Sequence, residues 1–296
     1  MNSLLKRTLT GTLIVGVILA GLLINSLSFL IVFLVIMAVT QWEFYHMLHR
    51  IKVRAQATFG IAMGVTMYIL TFMVAIHALP EEYISLILLF FPFVYIHEIY
   101  AQHNRPFHNI AYTFLGLIYI ALPFSLLSFL VFDIHEKIQP VFTLDGKNDI
   151  LNFLLQPGFA IDYSPGILLG VFILIWMYDT GAYLSGILFG RRRLMPRISP
   201  KKTWEGVIGG TFLALITGYL IGRYIHDMNT IEWLLVVFVV VVFGTLGDLS
   251  ESLLKRRIGL KDSGSILPGH GGFLDRFDSF LLIIPVVVAL FAFLQS

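Results

Sequence analysis

A chain of 296 residues that is 57% hydrophobic and only 13% charged, with a mean hydropathy of +0.85, does not suit a soluble core, because a folded domain of that size still needs a charged exterior. The formal net charge of +2 is too small to suggest nucleic acid, so the placement of the cations matters more than their sum. The chain has no Cys, which excludes a disulfide framework and any Cys-ligated metal site.

Long apolar runs broken by short polar clusters make lipid the solvent, and a span needs about 20 apolar residues, with about 17–25 the usual range. In chain order the predicted helices are Leu9–Ile24, Leu27–Tyr45, Phe59–Ala78, Tyr83–Tyr100, Ile110–Phe132, Gly166–Gly190, Val207–Ile225, Ile231–Gly247 and Gly272–Phe293. The runs are continuous rather than alternating, which argues against membrane strands. The expected fold is an all-α polytopic membrane protein of about nine transmembrane helices. Lys6 and Arg7 ahead of the first run raise a signal peptide, but the second run follows at once with no convincing small-residue cleavage site between them. An uncleaved helical hairpin turning at Asn25-Ser26 is therefore expected. Its first arm is short, so a re-entrant hairpin is the alternative; removing the hairpin would leave every later orientation unchanged. Residues 1–163 are read as an N-terminal region of about five helices and an outer loop. Residues 164–296 are read as the catalytic region, about four helices with basic cytoplasmic loops.

Orientation follows from Lys and Arg in the short loops. One side of the membrane would hold 16 of the 20 basic residues, including Arg50, Lys52, Arg54, Arg105, the Arg191–Lys202 cluster and Lys255 to Lys261. The opposite loops carry Glu81, Glu82, Asp133, Glu136, Asp145, Asp149 and Asp162. The N-terminus is expected in the cytoplasm and the C-terminus outside. Glycine pairs four apart (Gly60/Gly64, Gly186/Gly190, Gly206/Gly210, Gly218/Gly222) are compatible with closely approaching helices.

The first half of the chain reads as almost free of intramembrane charge; the second half does not. Asp179 falls inside the sixth span, Asp248 at the end of the eighth, and Asp275, Arg276 and Asp278 in the first turns of the ninth. An ionisable group in hydrocarbon costs at least about 2.5–3.5 kcal/mol, so each needs a partner or a water-filled cavity. Structural salt bridging is one reading, but the carboxylates outnumber the single Arg and call for a cation. Asp275 and Asp278, three apart, share a helical face, and Asp248 is placed to approach it from a neighbouring helix. Carboxylates without a His or Cys set suit a hard divalent cation such as Mg²⁺, which takes about one or two carboxylates plus substrate phosphates. Ahead of them lie Ser252, Lys255, Arg256, Lys261, Asp262, Pro268, His270 and the Gly271-Gly272 turn. That turn, at a helix start, would let backbone N–H groups approach an anion, with Lys255, Arg256 and Lys261 neutralising a polyphosphate. In the cluster Arg191 to Gly206, Ser199 and Thr203 are candidate phosphate donors and Lys201 and Lys202 candidate pairing cations. Both basic segments are also readable as topology-setting loops, the second with a helix cap at Thr203 or Ser199.

The stretch Ser252 to Asp278 resembles the signature of the phosphatidate cytidylyltransferase (CDP-diacylglycerol synthase) family, S-x-x-K-R-x4-K-D-x-[small]-x-x-[apolar]-x-x-H-G-G-x-x-D-R-x-D, at every fixed position. Asp179-Thr-Gly-Ala-Tyr and Ile198-Ser-Pro-Lys-Lys-Thr-x-Glu-Gly resemble its upstream segments, so the likeness covers Asp179 to Ser279. It implies that a phosphatidate oxygen attacks the α-phosphorus of CTP and releases pyrophosphate at a cytoplasm-facing site in the cell inner membrane. The residues it implies are Asp248, Asp275 and Asp278 for the metal, with a second cation allowed. Asp179, Lys255, Arg256, Lys261, Asp262, His270 and Arg276 are implied as catalytic. Ser199, Lys201, Lys202, Thr203, Ser252, Gly271 and Gly272 are implied as binding. His270 is open between assisting the leaving pyrophosphate and a neutral turn residue, and Asp179 between an inner support and a third carboxylate near the metal. The implied partners are CTP, phosphatidic acid and membrane lipids, with a homodimer allowed and nucleic acid not expected. The rivals are a CTP-dependent polyprenol or phytol kinase, a related lipid cytidylyltransferase and an ion-coupled transporter. A CDP-alcohol phosphotransferase would need a D-G-x-x-A-R element, which the chain lacks.

Overall fold

In lipid each backbone polar group must be satisfied within its own segment, so apolar runs of this length become helices. The computed structural model describes residues 3–132, 163–225, 227–269 and 271–295; of the outer loop expected at 133–164 all but Tyr163 and Ser164 lies outside the described residues, as does His270. The helices are α1 (Ser3–Leu23), α2 (Ser26–Leu48), α3 (Ala57–Ala75), α4 (Glu81–Ala101, opening as a 3-10 turn) and α5 (Pro106–Val131, with a π turn at Leu117–Ala121). They continue as α6 (Gly166–Phe189), α7 (Trp204–Tyr224), α8 (Thr230–Ile258) and α9 (Leu274–Gln295). Among the described residues α2 to α9 are long and apolar enough to cross a membrane, eight where about nine were expected. The shortfall is α1, whose apolar stretch is only Thr8–Leu23. The chain is an all-α multi-pass membrane protein, and its many exposed large apolar side chains, Leu13, Leu88, Ile99 and Phe212 among them, suit lipid as solvent. One departure from all-α is a small antiparallel hairpin, β1 (Arg193–Met195) with β2 (Ser199–Thr203), in what reads from sequence as a loop.

The chain divides into two units. The first is Met1–Ser164 together with Asp262–Asp275, so the signature's glycine-rich loop packs with the N-terminal helices. The expected turn at Asn25 is a reciprocal cap: the Asn25 side chain accepts from the Ser28 amide at 2.7 Å, and the Ser28 hydroxyl accepts from the Asn25 amide at 3.0 Å. Phe29, Phe33, Tyr68, Phe72 and Phe132 fill the core, with the Phe72 and Phe132 rings edge to face at 5.5 Å. This half, expected to be almost free of intramembrane charge, buries two acids, Glu43 and Glu98, both 2% exposed. Each has tertiary donors: Glu98 accepts from Asn109 at 2.7 Å and Gln56 at 3.0 Å, and Glu43 from the Leu274 amide at 3.0 Å. A buried carboxylate is tolerable when hydrogen-bonded in this way.

The second unit is Pro165–Lys261 and Arg276–Ser296. Here α6 and α7 touch backbone to backbone: a Cβ on Gly206 would stand 2.8 Å from the Ala182 carbonyl, and one on Gly210 2.8 Å from that of Tyr178. The Phe172 and Phe280 rings stack at 5.2 Å and tie α6 to α9, while Trp233 of α8 is fully buried. Helix α8 runs to Ile258 rather than stopping at Gly247. Past the apolar run it is sustained by pairs four apart, Asp248 with Ser252 and Glu251 with Lys255. It ends where Gly259 takes a left-handed φ of 76°. Lys255 and Arg256 therefore sit in a helix's last turn, where cations complement its dipole, rather than in a loop.

Candidate active site

The hairpin separates the lysines of the basic cluster by burial. Arg193 pairs with Thr203 and Met195 with Ser199, and along β2 Lys201 is exposed, Lys202 half-buried and Thr203 buried. Thr203, not Ser199, is the cap of α7: its hydroxyl accepts from the Gly206 amide at 3.1 Å. Glu205, in the first turn, accepts from the Arg191 and Arg192 amides and closes the base of the hairpin. Lys202 reaches across to α8, where its ammonium stands 2.5 Å from the Asp248 carboxylate.

Asp248 is held where α8 meets α9. A Cβ on the preceding Gly247 would lie 2.6 Å from the Asp278 carbonyl oxygen and 2.9 Å from Ser279 Cα, so only glycine lets the two backbones close here. The Asp248 carboxylate also accepts from the Ser252 hydroxyl at 3.3 Å, and that of Asp278 from the Ser279 amide at 2.7 Å. On α6 the Tyr178 hydroxyl meets Thr245 Oγ1 at 2.5 Å; since Thr245 donates to the Val241 carbonyl, Tyr178 is the donor. This pins α6 to α8 one residue before Asp179. The charges of Asp179, Asp248 and Asp278 act on one another and on Lys202, and Asp179 also senses Arg276. Three carboxylates and two cations thus interact electrostatically within one unit.

Among the described residues no three His, Cys, Asp or Glu side chains are gathered tightly enough to form a metal cage, so the set Asp248, Asp275 and Asp278 is not assembled as one. The donor chemistry still fits Mg²⁺, which is content with about one or two carboxylates and takes its remaining oxygens from water and phosphate. Asp248 and Asp278, whose charges act on each other, are the two acids of that set that lie in one unit.

Asp275 is occupied in the loop. Its carboxylate accepts from the Gly272 amide at 2.8 Å and the Ser263 amide at 2.9 Å. The Gly272 N–H expected to meet a phosphate thus meets a carboxylate of its own chain. Gly269 and Gly271 both take φ of 81°, which lets the loop fold back, with the Leu267 amide donating to the Gly271 carbonyl at 3.0 Å. Lys261 and Asp262 are exposed at its entrance. Lys255 is paired with Glu251, a fully buried carboxylate one turn earlier on α8. An open groove of about 790 Å³ lies beside the hairpin, lined by apolar Leu188, Phe189, Trp204 and Ile208 and by Arg191, Arg192 and Glu205.

Sequence reasoning missed Glu43, Glu205 and Glu251. The signal for Glu43 was present: a lone acid inside an apolar run needs a partner as much as Asp179 does.

A family model described as the cytidylyltransferase family matches residues 5–294. The chain is 52% identical over 122 residues to a protein of Staphylococcus aureus (strain COL) named phosphatidate cytidylyltransferase, covering 40% of this chain and 46% of that protein. A Haemophilus influenzae protein of the same name is 45% identical over 124 residues, 40% of this chain and 43% of that one. The aligned stretch thus spans less than half the length of these relatives.

Proposed function

The chain belongs to the cytidylyltransferase family, and from that membership we propose that it transfers the CMP part of CTP to phosphatidic acid, giving CDP-diacylglycerol and pyrophosphate. The observation that carries this reading is the signature from Ser252 to Asp278, complete at every fixed position and embedded in a membrane-spanning chain. In the reaction a phosphatidate oxygen forms a bond to the α-phosphorus of CTP as the bond to the β-phosphate oxygen breaks, and pyrophosphate leaves with that electron pair. The nucleophile is already an anion, so no strong base is needed; positioning and charge neutralisation supply the rate.

Roles follow from the placements above. Asp248 and Asp278 would hold a divalent cation, Mg²⁺ by donor type, which when bound supplies neutralisation of phosphate charge; a second cation is compatible with Asp179 nearby. Lys202 holds Asp248 in place and is available to a phosphate. Lys255, Arg256 and Lys261 would neutralise the polyphosphate, with Glu251 fixing Lys255. Ser252 fixes Asp248, and Arg276 and Asp179 balance the acidic cluster. Thr203 and Ser199 keep the hairpin that carries Lys201 and Lys202. The groove beside that hairpin combines apolar walls with Arg191 and Arg192, as a phospholipid with a phosphate head requires. We place the site at the cytoplasmic face of the cell inner membrane, on the strength of the Lys and Arg distribution.

The test is a product assay. Purified protein with labelled CTP, phosphatidate and Mg²⁺ should yield a labelled lipid and pyrophosphate. A polyprenol or phytol acceptor should yield nothing; its phosphorylation with release of CDP would replace this reading by that of a kinase.

A further inference from the structure

The glycine-rich loop 262–275 is anchored by a side chain 231 positions away in sequence. Glu43, near the end of α2 and 2% exposed, accepts a hydrogen bond from the Leu274 amide at 3.0 Å. Leu274 is the first residue of α9, so this carboxylate sits on an otherwise unsatisfied N–H at the positive end of a helix, where a negative charge is favoured. Two loop glycines are shaped to it: a Cβ on Gly264 would stand 2.5 Å from one Glu43 oxygen, and a Cβ on Gly272 would collide with the other. Asp275, in the first turn of α9, accepts from the Ser263 and Gly272 amides of the loop. The loop is thus closed by two carboxylates, one its own and one delivered by α2. Glu43 occupies the space that a side chain at Gly264 would take, and shares with the Ser263 hydroxyl the space that one at Gly272 would take.

We propose that Glu43 is a positioning residue for the signature loop, through which the N-terminal helices set the loop's conformation. Glu43 touches no reacting atom in this account; it acts through the backbone of Leu274 and the packing of Gly264 and Gly272. The activity arm of the test rests on the cytidylyl-transfer reading; the structural arm does not.

The experiment compares full-length wild type, Glu43→Leu and Glu43→Gln in detergent by amide hydrogen exchange and by steady-state kinetics. Leu removes the acceptor, whereas Gln keeps one carbonyl oxygen for the Leu274 amide. In Glu43→Leu, exchange across residues 262–275 should rise by about tenfold or more while residues 57–75 are unchanged. Turnover should fall by about tenfold or more, mainly in kcat, and Glu43→Gln should recover to within about threefold of wild type. Unchanged loop exchange in Glu43→Leu overturns the proposal. So does exchange that rises equally through α3 in both variants, because Glu43 would then be a packing residue of the whole unit. If wild type itself transfers no CMP, the functional reading fails, and the exchange comparison alone decides the role of Glu43.

Discussion

The Lys202 ammonium lies 2.5 Å from the Asp248 carboxylate, joining a hairpin strand to a residue inside a membrane-spanning helix. The pair is about one-third exposed on each side, at 29% and 31%, which keeps it exchangeable. A cation held by Asp248 would compete with the Lys202 ammonium for the same carboxylate. A phosphate brought in with that cation would give Lys202 a new partner.

Competition gives a sign that simple loss of a catalytic residue does not. In Lys202→Met, half-saturating Mg²⁺ should fall by about two- to fivefold, the worth of a partly exposed pair of about 0.5–1 kcal/mol, while turnover drops. Initial rate against Mg²⁺ concentration reads both. An unchanged or raised Mg²⁺ requirement would mean that Lys202 does not sit on the cation's ligand.

Gly247 should be intolerant of even one methyl group. Its Cβ would meet backbone atoms of Asp278 and Ser279, which cannot rotate away, so Gly247→Ala should cost about 1–3 kcal/mol by overpacking. Gly16 of α1 has nothing within 4 Å of a built Cβ, and Gly16→Ala should be neutral or stabilising by up to about 1 kcal/mol through helix propensity. Thermal unfolding of the two variants in detergent makes the comparison. Equal midpoints would remove the close approach of α8 and α9 as the reason for glycine.

How much of this was legible depends on which force set each element. Among the described residues the apolar runs gave eight helices long and apolar enough to span a membrane, because hydropathy decides helix formation in lipid, and Asn25 and Thr203 were legible as polar residues that punctuate such runs. The hairpin at Arg193 to Thr203 was not legible: its strands contain neither alternation nor aromatic residues, and it is closed by Glu205 binding two backbone amides. The end of α8 was misplaced because hydropathy stops at Gly247 whereas the pairs Asp248–Ser252 and Glu251–Lys255 carry the helix on. Glu43 was invisible as a loop anchor because its donor comes from the far end of the chain.

Orientation is open to a direct test because the chain has no Cys. Single cysteines at Arg54 and Lys201 should react with an impermeant thiol reagent only from the cytoplasmic side, and one at the exposed Glu82 only from outside. The reverse pattern would overturn the placement of the N-terminus in the cytoplasm.

The last prediction separates the carboxylates by what each holds. Asp248 and Asp278 carry charge into a cluster of three acids and two cations, whereas Asp275 receives two backbone amides within its loop. Asp248→Asn and Asp278→Asn should therefore lower turnover by about 10²–10³-fold, as expected when electrostatic stabilisation of a phosphoryl transition state is lost. Their Mg²⁺ requirement should rise, and their folding should hold, because removing a buried like charge relieves repulsion. Asp275→Asn keeps a carbonyl oxygen but loses the charge-assisted part of its bonds, so stability should fall by about 1–3 kcal/mol. Turnover should fall with it, while the Mg²⁺ concentration for half-saturation stays near that of wild type. Initial rates across Mg²⁺ concentration, with thermal unfolding on the same preparations, distinguish the two behaviours. A raised Mg²⁺ requirement in Asp275→Asn with unaltered stability would move Asp275 from the loop's scaffold to the cation. Unchanged turnover in well-folded Asp248→Asn and Asp278→Asn proteins would end the cation assignment and leave these acids as structural partners of Lys202 and Arg276.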